Sequence, residues 1–411
     1  YSSALTNAGV QTIDLDTAGV TPAADKSLDI MGEVYSSHPT LGGYTSTSPV
    51  ASPWRDGLGT MHLFVDPNAK YTDKSNNIGD SWDNAAHNLS DILHRMQQTL
   101  DAFKTTGQQP SDFNLTKLQI HVKEGTVTNN GAYSTGRVRN NTLTIPVISD
   151  YITTPLTIEI LGSYSSDLTG RDLSARNPLK TPTIITGDIV DNYDYNVAHL
   201  VTFDGARNVT FDGFQLRNGN ASSLKQENTN PNGAAFTIRN AQNITIKNCL
   251  VANCQAEVGA AVYAENSVTS FENCIFHNNA STQQVGLAAN TPGIIYSGGT
   301  STLTFDHCDV LRNVGFASWL TSGAHQLWTN SIFYGNLNAP VDDTNDTESS
   351  NTHYVMSTAA FGGTVANASG SYCLFDGKSA SFEPRFSDSR FDMSYVFNGG
   401  ANSNYPRFIN P

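Results

Sequence analysis

Three carboxylates and two amides crowd into nine residues at Asp188-Ile-Val-Asp191-Asn192-Tyr-Asp194-Tyr-Asn196. Calcium takes roughly six to eight oxygen ligands, and a loop this dense in oxygen can supply several of them. Asp188, Asp191, Asp194 and Asn196 are therefore the candidate metal ligands, with calcium the expected cation. The loop lacks the glycine and the distal glutamate of an EF-hand, so an acidic turn closing one coil of a repeat is the competing reading. A second run, Asp342-Asp343-Thr-Asn-Asp346, reads as a solvated loop. Aromatic side chains offer a different chemistry. A sugar stacks on a ring that has a large apolar body and a polar tip. Tyr193, Tyr195, Trp319 and Tyr334 are the candidate glycan platforms, and each taken singly could equally pack against an inserted loop.

Catalytic patterns are harder to find. A glycoside hydrolase needs paired carboxylates about 5–10 Å apart. A polysaccharide lyase needs a Lys or Arg near the sugar, often with a calcium ion to neutralise a uronate carboxylate. Neither Gly-His-Gly, Arg-x-Lys nor Trp-x-Asp-His occurs in the repeats. Lys225, Arg239 and Lys247 are the bases nearest the repeats, and Lys247 reads as a solvated position. Asp306 and His307 are neighbours on one expected strand, so alternation should send them to opposite faces. His325 falls in an expected loop. No catalytic residue is assigned.

Composition bounds the rest. The 411 residues carry 23 basic and 37 acidic side chains, a net charge of −14. No basic cluster suits phosphate, which excludes nucleic acid and disfavours an anionic membrane as partner. No apolar run approaches the ~18–20 residues of a membrane span. Only 15% of residues are charged, while Asn numbers 40 and Gly 33. That profile disfavours helical bundles and suits a β fold rich in turns, because Asn and Gly tolerate positive φ. The first residues, Tyr1-Ser2-Ser3, suggest a processed or trimmed form of an exported chain.

A repeat organises the sequence from about 183. Phe211-Asp-Gly-Phe214-Gln-Leu216, Ile246-Lys-Asn-Cys249-Leu-Val251, Phe271-Glu-Asn-Cys274-Ile-Phe276, Phe305-Asp-His-Cys308-Asp-Val310 and Trp328-Thr-Asn-Ser331-Ile-Phe333 align, with a weaker copy at Ser371-Tyr-Cys373-Leu-Phe375. Their anchors step by 35, 25, 34, 23 and 42 residues. Short steps fit one coil of a parallel β-helix and long steps fit a coil with an inserted loop. A single coil cannot bury its inner face; stacked coils can. Cys249, Cys274, Cys308 and Cys373 then share one register and point inward as small buried hydrophobes rather than as redox groups. Stacked parallel side chains also have poor disulfide geometry. The fifth thiol, Cys254, follows Cys249 by five residues and completes no zinc motif. Before the repeats, residues 61–66, 118–122 and 156–161 alternate as strands. Ser90 is an expected N-cap for a helix over about 90–105. The expectation is an all-β, right-handed parallel β-helix over 58–411 with one N-terminal capping helix. Its clearest repeats lie over 183–378, and residues 1–57 form an extended leader. The helix would cover the open N-terminal strand edge.

Taken in order, several segments resemble a known group. They are Leu63-Phe-Val-Asp-Pro-Asn-Ala69, Gly79-Asp-Ser-Trp82-Asp-Asn-Ala-Ala86, Leu89-Ser-Asp-Ile-Leu93, Ile120-His-Val-Lys-Glu-Gly125-Thr126, Ile160-Leu-Gly162-Ser-Tyr164, Arg171-Asp172 and Pro182-Thr-Ile-Ile-Thr-Gly187-Asp188, followed by the Asn-Cys repeats. Over residues 60–411 the chain resembles the secreted right-handed β-helix proteins of Gram-negative surfaces, like the polymorphic outer-membrane proteins with a choice-of-anchor C-terminal region. The resemblance implies an extracellular or outer-surface protein, of a kind often taken as an adhesin or polysaccharide binder and without one common chemistry. Two departures stand out. The family's Gly-Gly-Ala-Ile is here Gly259-Ala-Ala-Val262, and the chain stops at Pro411 where members usually continue. The leading expectation is a non-catalytic surface protein. It would bind a polysaccharide or a host or cell-surface component through loops near 217–235, 280–293 and 338–366. A polysaccharide lyase or glycoside hydrolase for an acidic glycan is the first alternative, and a structural component of a surface assembly is the second.

Overall fold

The computed structural model describes residues 56, 58–69, 79–127, 143–188, 197–222, 231–281, 293–336, 361–375 and 385–391. They fall into two compact units, one made of Tyr1–Asn130, Leu143–Ile184 and Ala206–Phe214, the other of Gly131–Thr142, Ile185–Gly205 and Gln215–Pro411. The fold is an all-β, right-handed parallel β-helix, as the repeat predicts.

In the second unit each coil contributes three short strands. One coil runs Phe236–Arg239, Gln242–Lys247, Leu250–Ala252 and the next runs Val262–Glu265, Val268–Glu272, Ile275–His277. Like strands pair in parallel, so like residues stack. Ile246 meets Phe271, Phe271 meets Phe305, and Phe305 meets Trp328 along one inner column. The rings follow the register: Phe271 and Phe305 stack at 4.8 Å, Phe305 and Trp328 at 3.7 Å. Each fully buried ring contributes about 1.5–3 kcal/mol. The Trp328 indole N–H is satisfied inside the coil by Gln326 Oε1 at 3.0 Å. Gln326 is in turn held by Ser318 Oγ and Ser297 Oγ, both at 2.7 Å.

The turn chemistry explains the abundance of asparagine. Asn248, Asn273, His307, Asn330, Tyr372 and Asp388 all take the left-handed conformation, φ between 50° and 55°. Each precedes one member of the column Cys249, Cys274, Cys308, Ser331, Cys373 and Ser389. Asn adopts this conformation at little cost, which is why it recurs there. Ser389 adds a copy of the repeat that sequence alignment did not include. All five thiols are free and buried. Burial pushes Cys373 up to about 11 and Cys254 up to about 12, so both stay protonated at neutral pH. Cys254 belongs to a different column, a buried amide ladder. Asn279 donates to Asn313 Oδ1 at 3.1 Å, and Asn313 donates to Asn336 Oδ1 at 2.9 Å. The Cys254 N–H ends that ladder on Asn279 Oδ1 at 3.0 Å.

In the first unit Thr60–Val65, Lys117–Lys123, Thr157–Tyr164 and Arg207–Asp212 form one parallel ladder. The expected helix is present as Leu89–Thr106, one residue longer at each end. Its N-cap is Asn88 rather than Ser90: the Asn88 side chain accepts the Ser90 N–H at 2.9 Å. Both residues are N-cap types, and the cap lies two residues earlier because Leu89 already belongs to the buried face. That face, with Ile92, Leu93, Met96, Leu100 and Phe103, packs toward Thr60–Val65 and Leu143–Thr144. Among the described residues no helix is long and apolar enough to cross a membrane.

The ladder makes a stability prediction. Asn313→Leu takes away the acceptor of the Asn279 N–H and the side-chain donor to Phe276 O, and should cost about 2–4 kcal/mol in chemical denaturation at ~1–3 kcal/mol per unpaired buried group. Cys308→Ser should cost under about 1 kcal/mol, because Ser331 already fills the same column position, where its hydroxyl donates to Thr329 O at 2.7 Å.

Candidate functional site

The first strands of successive coils pair in register, so side chains that face away from the interior line up as well. On the strands Phe236–Arg239, Val262–Glu265, Ile295–Gly298 and Ser318–Leu320 the inward residues are fully buried. The outward residues form two rows. One row is Thr237, Tyr263, Tyr296 and Trp319 in register. The other is Asp204, Arg239, Glu265 and Gly298.

These rows make a layered stack. The Arg239 guanidinium lies 5.2 Å over the Tyr263 ring. Tyr263 and Tyr296 stack at 4.9 Å and 9°. Gly298 makes this arrangement possible: a Cβ there would meet the Tyr296 ring at 2.7 Å. Tyr263 Oη donates to Glu265 Oε2 at 3.3 Å. Burial first, then the Glu265 charge, pushes both phenols above their usual value. Arg239 has carboxylates on both neighbouring strands, Asp204 and Glu265. Its Nε is buried without a hydrogen-bond partner. His199 closes this end, its ring nitrogen donating to Gly233 O at 2.6 Å. Burial, helped by the nearby Arg239 charge, holds His199 below the usual imidazole range.

Trp319 thus stands where a sugar platform was expected, half-buried and edge-on to Phe316 at 5.3 Å. It is in register with Tyr296. Tyr334 is on a different sheet, in register with Leu311, and does not join Trp319. Tyr193 and Tyr195 lie outside the described residues, as do Asp191, Asp194 and Asn196. Asp188 is described and exposed. Its Oδ2 accepts the Asn218 amide at 2.6 Å and the Thr186 hydroxyl at 3.0 Å. Among the described residues no group of three or more His, Cys, Asp or Glu is placed to hold a metal ion.

Asp306 and His307 correct the sequence expectation. They meet at 3.0 Å, Oδ2 to Nδ1. His307 has φ 51°, which breaks the alternation that would have separated them. The Thr329 hydroxyl above all holds the Asp306 carboxyl below its usual value. His325 opens the strand His325–Thr329 instead of lying in a loop.

A second polar cluster, in the first unit, has no local sequence signal. His62 Nδ1 lies 3.0 Å from His121 Nε2, and His121 Nδ1 lies 2.9 Å from Tyr164 Oη. Asp56 Oδ2 sits 3.4 Å from His62 Nε2. Phe64, Trp82, Ala85, Tyr164 and Leu168 enclose the inner end. Burial holds His121 down at about 3, and burial pushes Tyr164 up to about 12.

A model of the right-handed beta helix region matches residues 190–377, in agreement with the stacked parallel strands. No curated protein matches the sequence. Among solved structures, the tailspike protein gp49 of Acinetobacter baumannii bacteriophage Fri1, a capsular polysaccharide depolymerase, is similar at 9% identity with a TM-score of 0.23. The similarity covers 82% of this chain and 63% of that one.

Buried neutral His121 makes a pH prediction for the first unit. Its pKa in the fold, about 3, lies below the unfolded value of 6.5. The unfolded chain therefore binds the extra proton first, and stability falls as pH drops from 6.5 toward 3. The slope from this group should approach about 1.4 kcal/mol per pH unit. Denaturation midpoints measured across that range should flatten in His121→Asn.

Proposed function

We propose that this protein is a non-catalytic, glycan-binding β-helix protein of an exposed outer surface, as its resemblance to exported Gram-negative surface proteins implies. The observation that carries the reading is the outward stack of Arg239, Tyr263 and Tyr296 with Trp319 in register beside it. A pyranose presents an apolar C–H face and a rim of hydroxyls. Tyr296 and Trp319, both half-buried, suit the face, and the buried Tyr263 backs the Tyr296 ring. The row of Asp204, Arg239 and Glu265 offers both acceptors and donors to the rim. Two carboxylates against one guanidinium, on a chain of net charge −14, favour an uncharged glycan over a polyanion. Rigid strands bear this stack, so little order is lost when a sugar docks. The acidic turn that begins at Asp188 is the place where calcium would enter.

A glycan array containing neutral and acidic chains, run with and without calcium, tests the reading. Hits on neutral glycans are expected, with no new reducing ends and no unsaturated-uronate absorbance afterwards. Tyr296→Ala and Trp319→Ala should each weaken binding about ten- to a hundredfold, the usual loss when a central aromatic anchor is removed. New reducing ends would replace this reading with a hydrolase, and an unsaturated product with a lyase. Silence on every glycan would contradict it in favour of a protein partner or a structural role in a surface assembly.

A further inference from the structure

The chain Asp56–His62–His121–Tyr164 admits one arrangement of protons when both imidazoles are neutral. A carboxylate only accepts, so His62 must carry its proton on Nε2, toward Asp56. His62 Nδ1 is then an acceptor, and His121 must donate to it from Nε2. His121 Nδ1 is left as an acceptor, and the Tyr164 hydroxyl must donate to it. Every bond points outward, from the buried phenol to the surface carboxylate.

One added proton undoes this order. His62 is the accessible imidazole, because His121 is 1% exposed and its ring lies against Phe64, Trp82 and Tyr164. Doubly protonated His62 has to donate from Nδ1. His121 must then accept on Nε2 and move its own proton to Nδ1. That proton now points at Tyr164 Oη, so the phenol O–H must turn away from the partner it has among the described residues. Tyr164 is 4% exposed, and a buried donor without an acceptor is costly.

Tyr164 is also where two covering loops are anchored. Trp82 packs on its ring at 5.4 Å, and Leu168 belongs to the same cluster. The loops are tied to each other: Trp82 Nε1 donates to Asp172 O at 2.6 Å, and the Trp82 N–H donates to Gly170 O at 2.7 Å. We propose that this chain is an acid-sensing latch: one proton taken up at His62 reverses the hydrogen bonds as far as Tyr164 and loosens the cover made by residues 79–88 and 165–176.

The surrounding charges set where the latch trips. Asp56 favours the charged His62, while the Arg171 and Lys117 charges and, above all, burial oppose it. Gln119, in register with His62, donates to Glu159, which also binds Lys117 at 2.7 Å. Near His121, Arg176 is engaged by Asp212 at 2.9 Å and Lys123 faces Asp66 at 3.4 Å. These pairings leave His62 as the group that titrates, on the acid side of neutrality.

Nitrogen-15 spectra of the histidine side chains in the full chain read the tautomers directly. They would be recorded at about pH 7.5 and then at falling pH until His62 takes up its second proton. His62→Gln and His121→Gln provide the assignments. At the higher pH both rings should be Nε2–H. At the lower pH His62 should be doubly protonated and His121 should be neutral and Nδ1–H. Amide exchange in 79–88 and 165–176, corrected for the intrinsic rate, should rise about fivefold or more on acidification, as expected for local opening. Tyr164→Phe keeps the ring and removes the O–H. It should keep the tautomer shift and lose the rise in exchange. A His121 tautomer that stays Nε2–H when His62 protonates would overturn the proposal, and the wild-type chain alone decides that. An unchanged rise in exchange in Tyr164→Phe would overturn it as well.

Discussion

Parallel strands stacked in register force every side chain to be compatible with the one above and the one below it. A coil of this size has too little interior to be stable alone, so burial is gained only between coils. Inside, the rule produces columns of one chemical kind: rings on rings, thiols or hydroxyls beside each other, amides in a ladder. Phe271, Phe305 and Trp328 obey it, and so do Asn279, Asn313 and Asn336. Where a column would become too full, a glycine relieves it. A Cβ at Gly370 would collide with the Trp328 carbonyl and meet the Phe386 ring at 2.8 Å.

The same rule governs the outer surface. Tyr263 and Tyr296 stack because they occupy equivalent positions on consecutive strands, one strand spacing apart, and Arg239 reaches the Tyr263 ring from the neighbouring row. A surface of aligned rings needs no loop to hold it in place, so recognition can rest on the strands themselves. In the first unit the aligned partners are Phe64 and His121, with His62 and Gln119 on the neighbouring row. There the result is a polar chain that leads from solvent into an aromatic cluster. Each unit thus has an ordered outward face whose geometry is set by register.

Much of this order was legible in the sequence. The Cys-containing segments gave the register, the buried thiols and the left-handed turn position that Asn prefers. The helix was visible through Ile92, Leu93, Met96, Leu100 and Phe103. Trp319 is legible as one of four candidate aromatic platforms, but its companions Tyr263 and Tyr296 are not. Val262-Tyr-Ala-Glu265 and Ile295-Tyr-Ser-Gly298 belong to a strand that carries no cysteine, so an alignment anchored on thiols passes over them. Their shared signal is an apolar residue, a tyrosine, a small residue and then Glu or Gly. Asp306 and His307 escape a period-two reading because alternation fails at a left-handed residue. His62 and His121 lie 59 positions apart, and no spacing rule connects them; only the pairing of Thr60–Val65 with Lys117–Lys123 does.

The central claim is that the outward aromatic stack is the face that meets a glycan. Hydroxyl-radical footprinting of tyrosine and tryptophan, with and without a glycan that binds, locates the contact without altering the protein. The account predicts that oxidation of Tyr296 and Trp319 falls on binding, while Tyr334, on another sheet, is oxidised as before. Unchanged oxidation at Tyr296 and Trp319 with protection at Tyr334 or elsewhere would contradict it.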